Sequence, residues 1–197
     1  LESLMEDNGG RPFPPEKVLQ WGIEVCQVLD YLHTRKPKPF IFRDLKPANI
    51  VLDRKGKITL IDFGITRIFT PSDPNNLKLG TPGYSPPEQY RGSEDPRADI
   101  YALGVTLYYL LSGKDPANEK PFTFQDMPLL TLNPLVPKEL ENIIMKAIQN
   151  DVNMRFQHSS EMLEAMNSFY WKSISPGEKE NFEWLTSSRP SVTPVPP

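Results

Sequence analysis

Hydrophobic and polar positions alternate with three distinct rhythms along the chain. After Pro14 and Pro15, apolar or small residues recur at Val18, Gly22, Val25, Leu29 and Leu32, one stripe of a long helix that "RKPKPF" interrupts. Two short apolar runs, "NIVL" and "ITLI", flank the polar "DRKGK", which predicts a hairpin with Gly56 in its turn. "ADIYALGVTLYYLLSG" is apolar nearly all round, so it predicts a helix buried at the centre of a helical assembly and ended by Gly113. Amphipathic stripes predict two more helices. One lies around 138–149 (Leu140, Ile143, Ile144, Ala147) and the other at 159–171 (Met162, Leu163, Met166, Phe169). Between hairpin and central helix, residues 65–97 are rich in proline and poor in periodicity; a loop of that length is usually functional or disordered. The end, "SSRPSVTPVPP", offers no core-forming residue and reads as a linker. The pattern predicts a mainly α domain over residues 1–171 with one small β-hairpin, followed by a Pro/Ser-rich linker over 172–197 without fixed structure.

Composition narrows the class. A length of 197 residues suits one domain with a tail, and a 38% hydrophobic content suffices for a core. A formal charge of -3 argues against a general nucleic-acid binder. The one cysteine, Cys26, excludes an internal disulfide framework, fits a reducing compartment, and falls on the apolar face of the first long helix, where it reads as core. No apolar run reaches the roughly 18 residues of a membrane span, and "LESLMEDNGG" lacks the features of a signal peptide. These features predict a cytoplasmic location, although a full-length parent could carry a membrane anchor. His33 ends a helix, where a cation is favourable, and His158 precedes the last helix; neither reads as a metal ligand.

The chemistry concentrates in "FRDLKPANIVLDRKGKITLIDFG", residues 42–64. Buried carboxylates are costly unless paired, hydrogen-bonded or bound to a metal, yet Asp44 and Asp62 lie against apolar runs. Asn49 supplies an uncharged oxygen near Asp62, and Mg²⁺ favours such ligands while taking few of them from protein. Lys46 adds a cation suited to a phosphoryl group, and Asp44 remains to orient a hydroxyl and accept its proton. Each residue alone also fits a turn whose polar groups cap the backbone. Together, in this order, they point to phosphate chemistry.

"FRDLKPANIVLD" followed by "DFG" resembles the catalytic and metal-binding loops of eukaryotic-like protein kinases, H-R-D-x-x-x-x-N and D-F-G. "GTPGYSPPEQY" resembles the end of a kinase activation segment, with Pro86-Pro87-Glu88 for Ala-Pro-Glu, and "DIYALGVTLYYLLSG" the central helix of the large lobe. Arg155 in "NMRF" is similar to the arginine that pairs with that glutamate. The phrasing is closest in style to bacterial serine/threonine kinases. The resemblance implies a kinase large lobe over 1–171 and transfer of phosphate from ATP to a Ser/Thr hydroxyl of a protein substrate, with Mg²⁺ (Mn²⁺ as a substitute). It implies Asp44 as base, Lys46 on the γ-phosphate, Asn49 and Asp62 as metal ligands, and Val51 beneath the adenine. It also implies that Thr81 shapes the acceptor site, that Asp99 accepts hydrogen bonds from the catalytic-loop backbone, and that Phe63 packs in the apolar columns of the lobe. A small-molecule phosphotransferase is disfavoured by "GTPGYSPPE", which docks peptides in the family.

Three departures qualify this. Phe42 replaces the usual histidine, keeping aromatic packing and losing a hydrogen bond. Arg43, beside the base, calls for an anionic partner, which the resemblance places on a phosphorylated activation segment; "ITRIFTPSDPNNLKL" offers only Thr66, Thr70 and Ser72, none close to its end. The chain contains no G-x-G-x-x-G and no strand-borne V-A-I-K lysine, and it opens on what looks like the helix after the hinge between lobes. The expectation is therefore a large lobe without its small lobe, inactive in isolation. The alternative is a pseudokinase or truncated lobe that binds partners.

Overall fold

The computed structural model describes residues 1–62, 80–118, 124 and 126–173. The order is α1 (Glu2–Asp7), α2 (Pro15–His33), β1 (Ile50–Leu52), β2 (Ile58–Leu60), α3 (Arg97–Ser112), α4 (Leu129–Leu132), α5 (Lys138–Ala147) and α6 (Ser159–Ser173). Short 3₁₀ turns occupy Pro47–Asn49, Gln89–Arg91 and Val152–Met154. The two strands pair antiparallel with Ile50 opposite Leu60, Val51 opposite Thr59 and Leu52 opposite Ile58, and Gly56 lies in their turn. The fold is thus mainly helical with one hairpin. α4 and the 3₁₀ turns are too short to leave a periodic signal. Of the linker expected over 172–197, Lys172 and Ser173 belong to α6, and the rest falls outside the described residues.

Proline starts α2 at its first position, where its missing N–H costs no hydrogen bond. The predicted stripe Val18, Gly22, Val25, Leu29 and Leu32 is buried. That face packs on α3 and α6, while β2 rests on another part of α2. Here the Ile58 N–H donates to Glu24 Oε2 at 3.0 Å. Cys26 is fully buried, and its thiol lies 3.2 Å from the Ser159 carbonyl, to which it donates. Burial pushes that thiol well above its ordinary pKa.

α3 is the axis of the fold, and its apolar circumference has a simple cause. It is surrounded by α2, α4, α5 and α6, so only Arg97 and Tyr109 are less than buried along its length. Each Leu or Ile enclosed there contributes about 1.5–3 kcal/mol of transfer free energy. Gly104 sets the approach of α5, since a Cβ there would stand 2.7 Å from Ile148 Cγ2 and 2.8 Å from Ala147 Cβ. Met162 and Met166 are fully buried on α6, and Leu163 and Phe169 pack half-buried against the same core.

One buried ion pair ties the segment before α3 to the α5–α6 connection. The Arg155 side chain is wholly enclosed and grips Glu88 with two bonds, Nη1 to Oε1 at 2.6 Å and Nη2 to Oε2 at 2.9 Å. Its Nε donates to the Gln149 carbonyl at 2.6 Å, and its plane covers the Tyr101 ring at 4.8 Å. A guanidinium this deep is tolerable because its donors are satisfied.

Candidate functional site

Residues 41–49 form the centre of the site, and Asp99 in the first turn of α3 fixes their path. This carboxylate is 1% exposed and accepts from the Phe42 N–H at 2.7 Å and the Arg43 N–H at 2.8 Å. Arg43 takes a left-handed backbone, φ 72°, which costs a non-glycine residue about 1–2 kcal/mol. Gln89 also steadies it, donating from Nε2 to the Arg43 carbonyl at 2.7 Å. Phe42 and Leu45 point into the core. Asp44 and Lys46 are half-buried at the surface between and beyond them.

His33 completes the support of Asp99. Its Nε2 lies 2.9 Å from Asp99 Oδ2, and its Nδ1 lies 3.2 Å from Ser159 Oγ. A carboxylate can only accept, so Nε2 carries a proton; Ser159 Oγ stands between Nδ1 and the Asp30 carboxylate, whose Oδ1 lies 3.4 Å away. The helix-end reading of His33 from sequence missed this contact. A signal existed: His33 stands four residues after Leu29 and so continues the buried stripe of α2.

Four of the expected side chains meet. Thr81 donates to Asp44 Oδ1 at 2.7 Å, Lys46 Nζ lies 3.0 Å from Asp44 Oδ2, and Lys46 Nζ donates to Thr81 Oγ1 at 2.8 Å. Asn49 Nδ2 donates to the Asp44 carbonyl at 2.7 Å and reaches its Oδ2 at 3.3 Å. The amide nitrogen of Asn49 is therefore committed to Asp44, which leaves Oδ1 as its end for a cation. Asp62 enters the neighbourhood through the backbone, because the Ile61 N–H donates to the Asn49 carbonyl at 3.0 Å. Its residue has φ 54° and an exposed side chain, which is hydrogen-bonded to none of those four among the described residues. The Asp44 carboxylate, the Asn49 amide oxygen and the Lys46 ammonium are brought together, groups suited to a hard cation and an oxyanion, and Asp62 follows Ile61 at the adjoining end of the hairpin.

Val51 on β1 is 41% exposed and Ile61 39%. By register, Val51, Thr59 and Ile61 share one face of the hairpin, an apolar shelf beside the polar group. Glu88 is bound to Arg155 as described. Arg43 Nη2 lies 2.5 Å from Glu94 Oε1, a partner that sequence reasoning did not anticipate. Phe63, Thr66, Thr70 and Ser72 lie outside the described residues.

A model of the protein kinase domain matches residues 1–172. A probable serine/threonine-protein kinase of Streptomyces coelicolor is 32% identical over 168 residues, 79% of this chain and 24% of that protein. Probable serine/threonine-protein kinase PknB of Lactococcus lactis is 31% identical over 167 residues, 79% of this chain and 26% of that protein. The chain spans about a quarter of the length of these curated relatives. The crystal structure of the Mycobacterium tuberculosis PknI kinase domain superposes with a TM-score of 0.66 at 30% identity, over 84% of this chain and 60% of that one. Taken with the helical lobe and its hairpin, these matches establish that the chain belongs to the protein kinase family, among the bacterial-type serine/threonine kinases.

Proposed function

We propose that the chain carries the phosphoryl-transfer half of an ATP-dependent serine/threonine protein kinase. The observation that carries this is the closed triangle of Asp44, Lys46 and Thr81 backed by Asn49. Asp44 orients the acceptor hydroxyl and takes its proton, for which a half-exposed carboxylate at the site surface is suited. Lys46 spans Asp44 and the incoming phosphoryl group, and Thr81 positions both side chains from the segment where a peptide acceptor would lie. Val51 and its exposed face form the floor for a flat apolar ring such as adenine. Arg43, Glu88, Asp99 and Arg155 hold the frame.

The donor set fits Mg²⁺: Asn49 offers an amide oxygen and Asp62 a carboxylate, both hard ligands and few in number, as this ion prefers. When bound, MgATP supplies the phosphoryl group and neutralises its charge. The acceptor is a Ser or Thr of a protein substrate. The chain contains neither a glycine-rich loop nor the strand lysine that grips ATP, so the 197 residues alone should turn over at background. Robust phosphotransfer by this chain alone would overturn that part.

The reading itself is tested in the full-length gene product with MgATP and a Ser/Thr-containing protein acceptor. Asp44→Asn should lower kcat by about 10²–10⁴-fold while the unfolding midpoint stays put. An Asp44→Asn enzyme that keeps wild-type kcat would refute the assignment, as would a wild type that transfers nothing.

A further inference from the structure

Arg43 needs an anion, and the fold supplies one from an unexpected place. Glu94 belongs to the short connection between the Gln89–Arg91 turn and α3, 51 residues from Arg43 in sequence, yet its Oε1 lies 2.5 Å from Arg43 Nη2. Both ends of that connection are fixed. On one side Gly92 takes a left-handed conformation, φ 82°, its N–H donates to the Gln89 carbonyl, and the Ser93 N–H donates to the Glu88 carbonyl at 3.1 Å. Glu88 is itself locked by the buried Arg155. On the other side Asp95 Oδ1 accepts from the Arg97 N–H at 2.9 Å, and Asp95 binds the Arg97 side chain as well. Glu94 is thus presented by two anchored neighbours, and Gln89 in the same turn holds the Arg43 carbonyl.

We propose that Glu94 is a built-in anionic partner of Arg43, a positioning residue that sets the Asp44-bearing loop without any phosphate group on the chain. The chemical argument is substitution of like for like. A guanidinium beside a base is neutralised by either a carboxylate or a phosphate, and both accept from its N–H donors. Here the carboxylate is encoded. Arg43 is bonded through its backbone N–H to Asp99 and through its side chain to Glu94, so the pair braces the residue immediately before Asp44 from a second direction. The significance for catalysis rests on the kinase reading above; the pair and its test do not.

Glu94 is exposed, its side chain 62% accessible, so a free anion can compete for the same guanidinium. Inorganic phosphate is the probe, titrated into the isotope-labelled 197-residue chain and followed at the Arg43 Nε–H and Gly92 amide resonances. We expect weak binding in the wild type, where Glu94 competes for the guanidinium. Glu94→Gln and Glu94→Ala should each bind phosphate at these positions about fivefold tighter than the wild type, the scale of an exposed ion pair. Adding Arg43→Met to either variant should abolish the gain. In Glu94→Gln, hydrogen exchange at the Arg43 amide should quicken by about fivefold and return on adding phosphate, a rescue that a purely structural contact would not show. Equal phosphate binding in wild type and both variants would overturn the proposal, as would a gain that survives Arg43→Met or an Arg43 exchange rate indifferent to Glu94. Failure of the kinase reading would show instead as absent phosphotransfer in the full-length protein and leave these resonances unaffected.

Discussion

Replacing Asp99 by Asn changes one atom and should unsettle the loop that carries Asp44. The carboxylate accepts from three groups, the Phe42 and Arg43 amides at 2.7 and 2.8 Å and His33 Nε2 at 2.9 Å, and it is 1% exposed. Asn offers one oxygen and one NH₂. If Oδ1 faces Arg43, the NH₂ meets the Phe42 amide and the imidazole N–H, a donor against donors. Losing charge-assisted bonds and burying an unmatched donor each cost about 1–3 kcal/mol, so we expect about 3 kcal/mol in total. For a chain of this size that is a fall in Tm of roughly 6–12 °C. Urea unfolding followed by circular dichroism should show a lower midpoint at unchanged slope, which separates lost stability from a changed unfolded state. Hydrogen exchange should accelerate most at Phe42 and Arg43. A loss under about 0.5 kcal/mol would refute the claim that Asp99 sets the loop, because no exposed rearrangement is available to a side chain this deep.

Three further outcomes follow from the packing. Gly104→Ala should destabilise by about 1–3 kcal/mol, since the added methyl would stand 2.7 Å from Ile148 Cγ2 and force α5 away from α3; denaturant unfolding measures it. Thr106→Val should be neutral or stabilising, because Thr106 Oγ1 is a buried polar atom without a hydrogen-bond partner among the described residues, and calorimetry would show an unchanged or higher Tm. The Asp95 carboxyl is held below its ordinary pKa by the hydrogen bond from the Arg97 side chain, against the opposing effect of its burial. Its stabilising effect is then complete above the unfolded value of about 3.9 and is lost as pH falls through the lower folded value. The stability gap between wild type and Asp95→Asn should be widest above about pH 5 and should close in stronger acid; a gap that widens on acidification would reverse the sign of this reasoning.

The elements that sequence pattern revealed are those whose burial is continuous. α2 was legible because one buried face packs on α3 and α6, and α3 because all but two of its residues are buried. The hairpin was legible from two apolar runs and Gly56. α4 has four residues, too few for any periodicity, and its position depends on Glu141, which receives the Leu130 N–H at 3.0 Å from a later helix. In the site, Asp44, Lys46, Asn49 and Thr81 were visible as residue types in a specific order. The pairing of Glu94 with Arg43 was not, because nothing local marks it: it arises only when α3 and the turn before it are brought against the loop. His33 lies between these cases, since its register on the α2 stripe pointed inward while its chemistry suggested a helix end. The pairings that escaped detection were long-range contacts between polar atoms, which have no period in sequence.

The enclosure of Cys26 has a practical corollary for anyone wishing to watch this molecule move. Alkylating reagents attack thiolates, and a sulfur with no solvent contact and a suppressed tendency to ionise will ignore them in the native state. A reporter dye can therefore be attached through a cysteine introduced at an open position such as Leu135, 79% exposed, with the natural sulfur left in place and unlabelled.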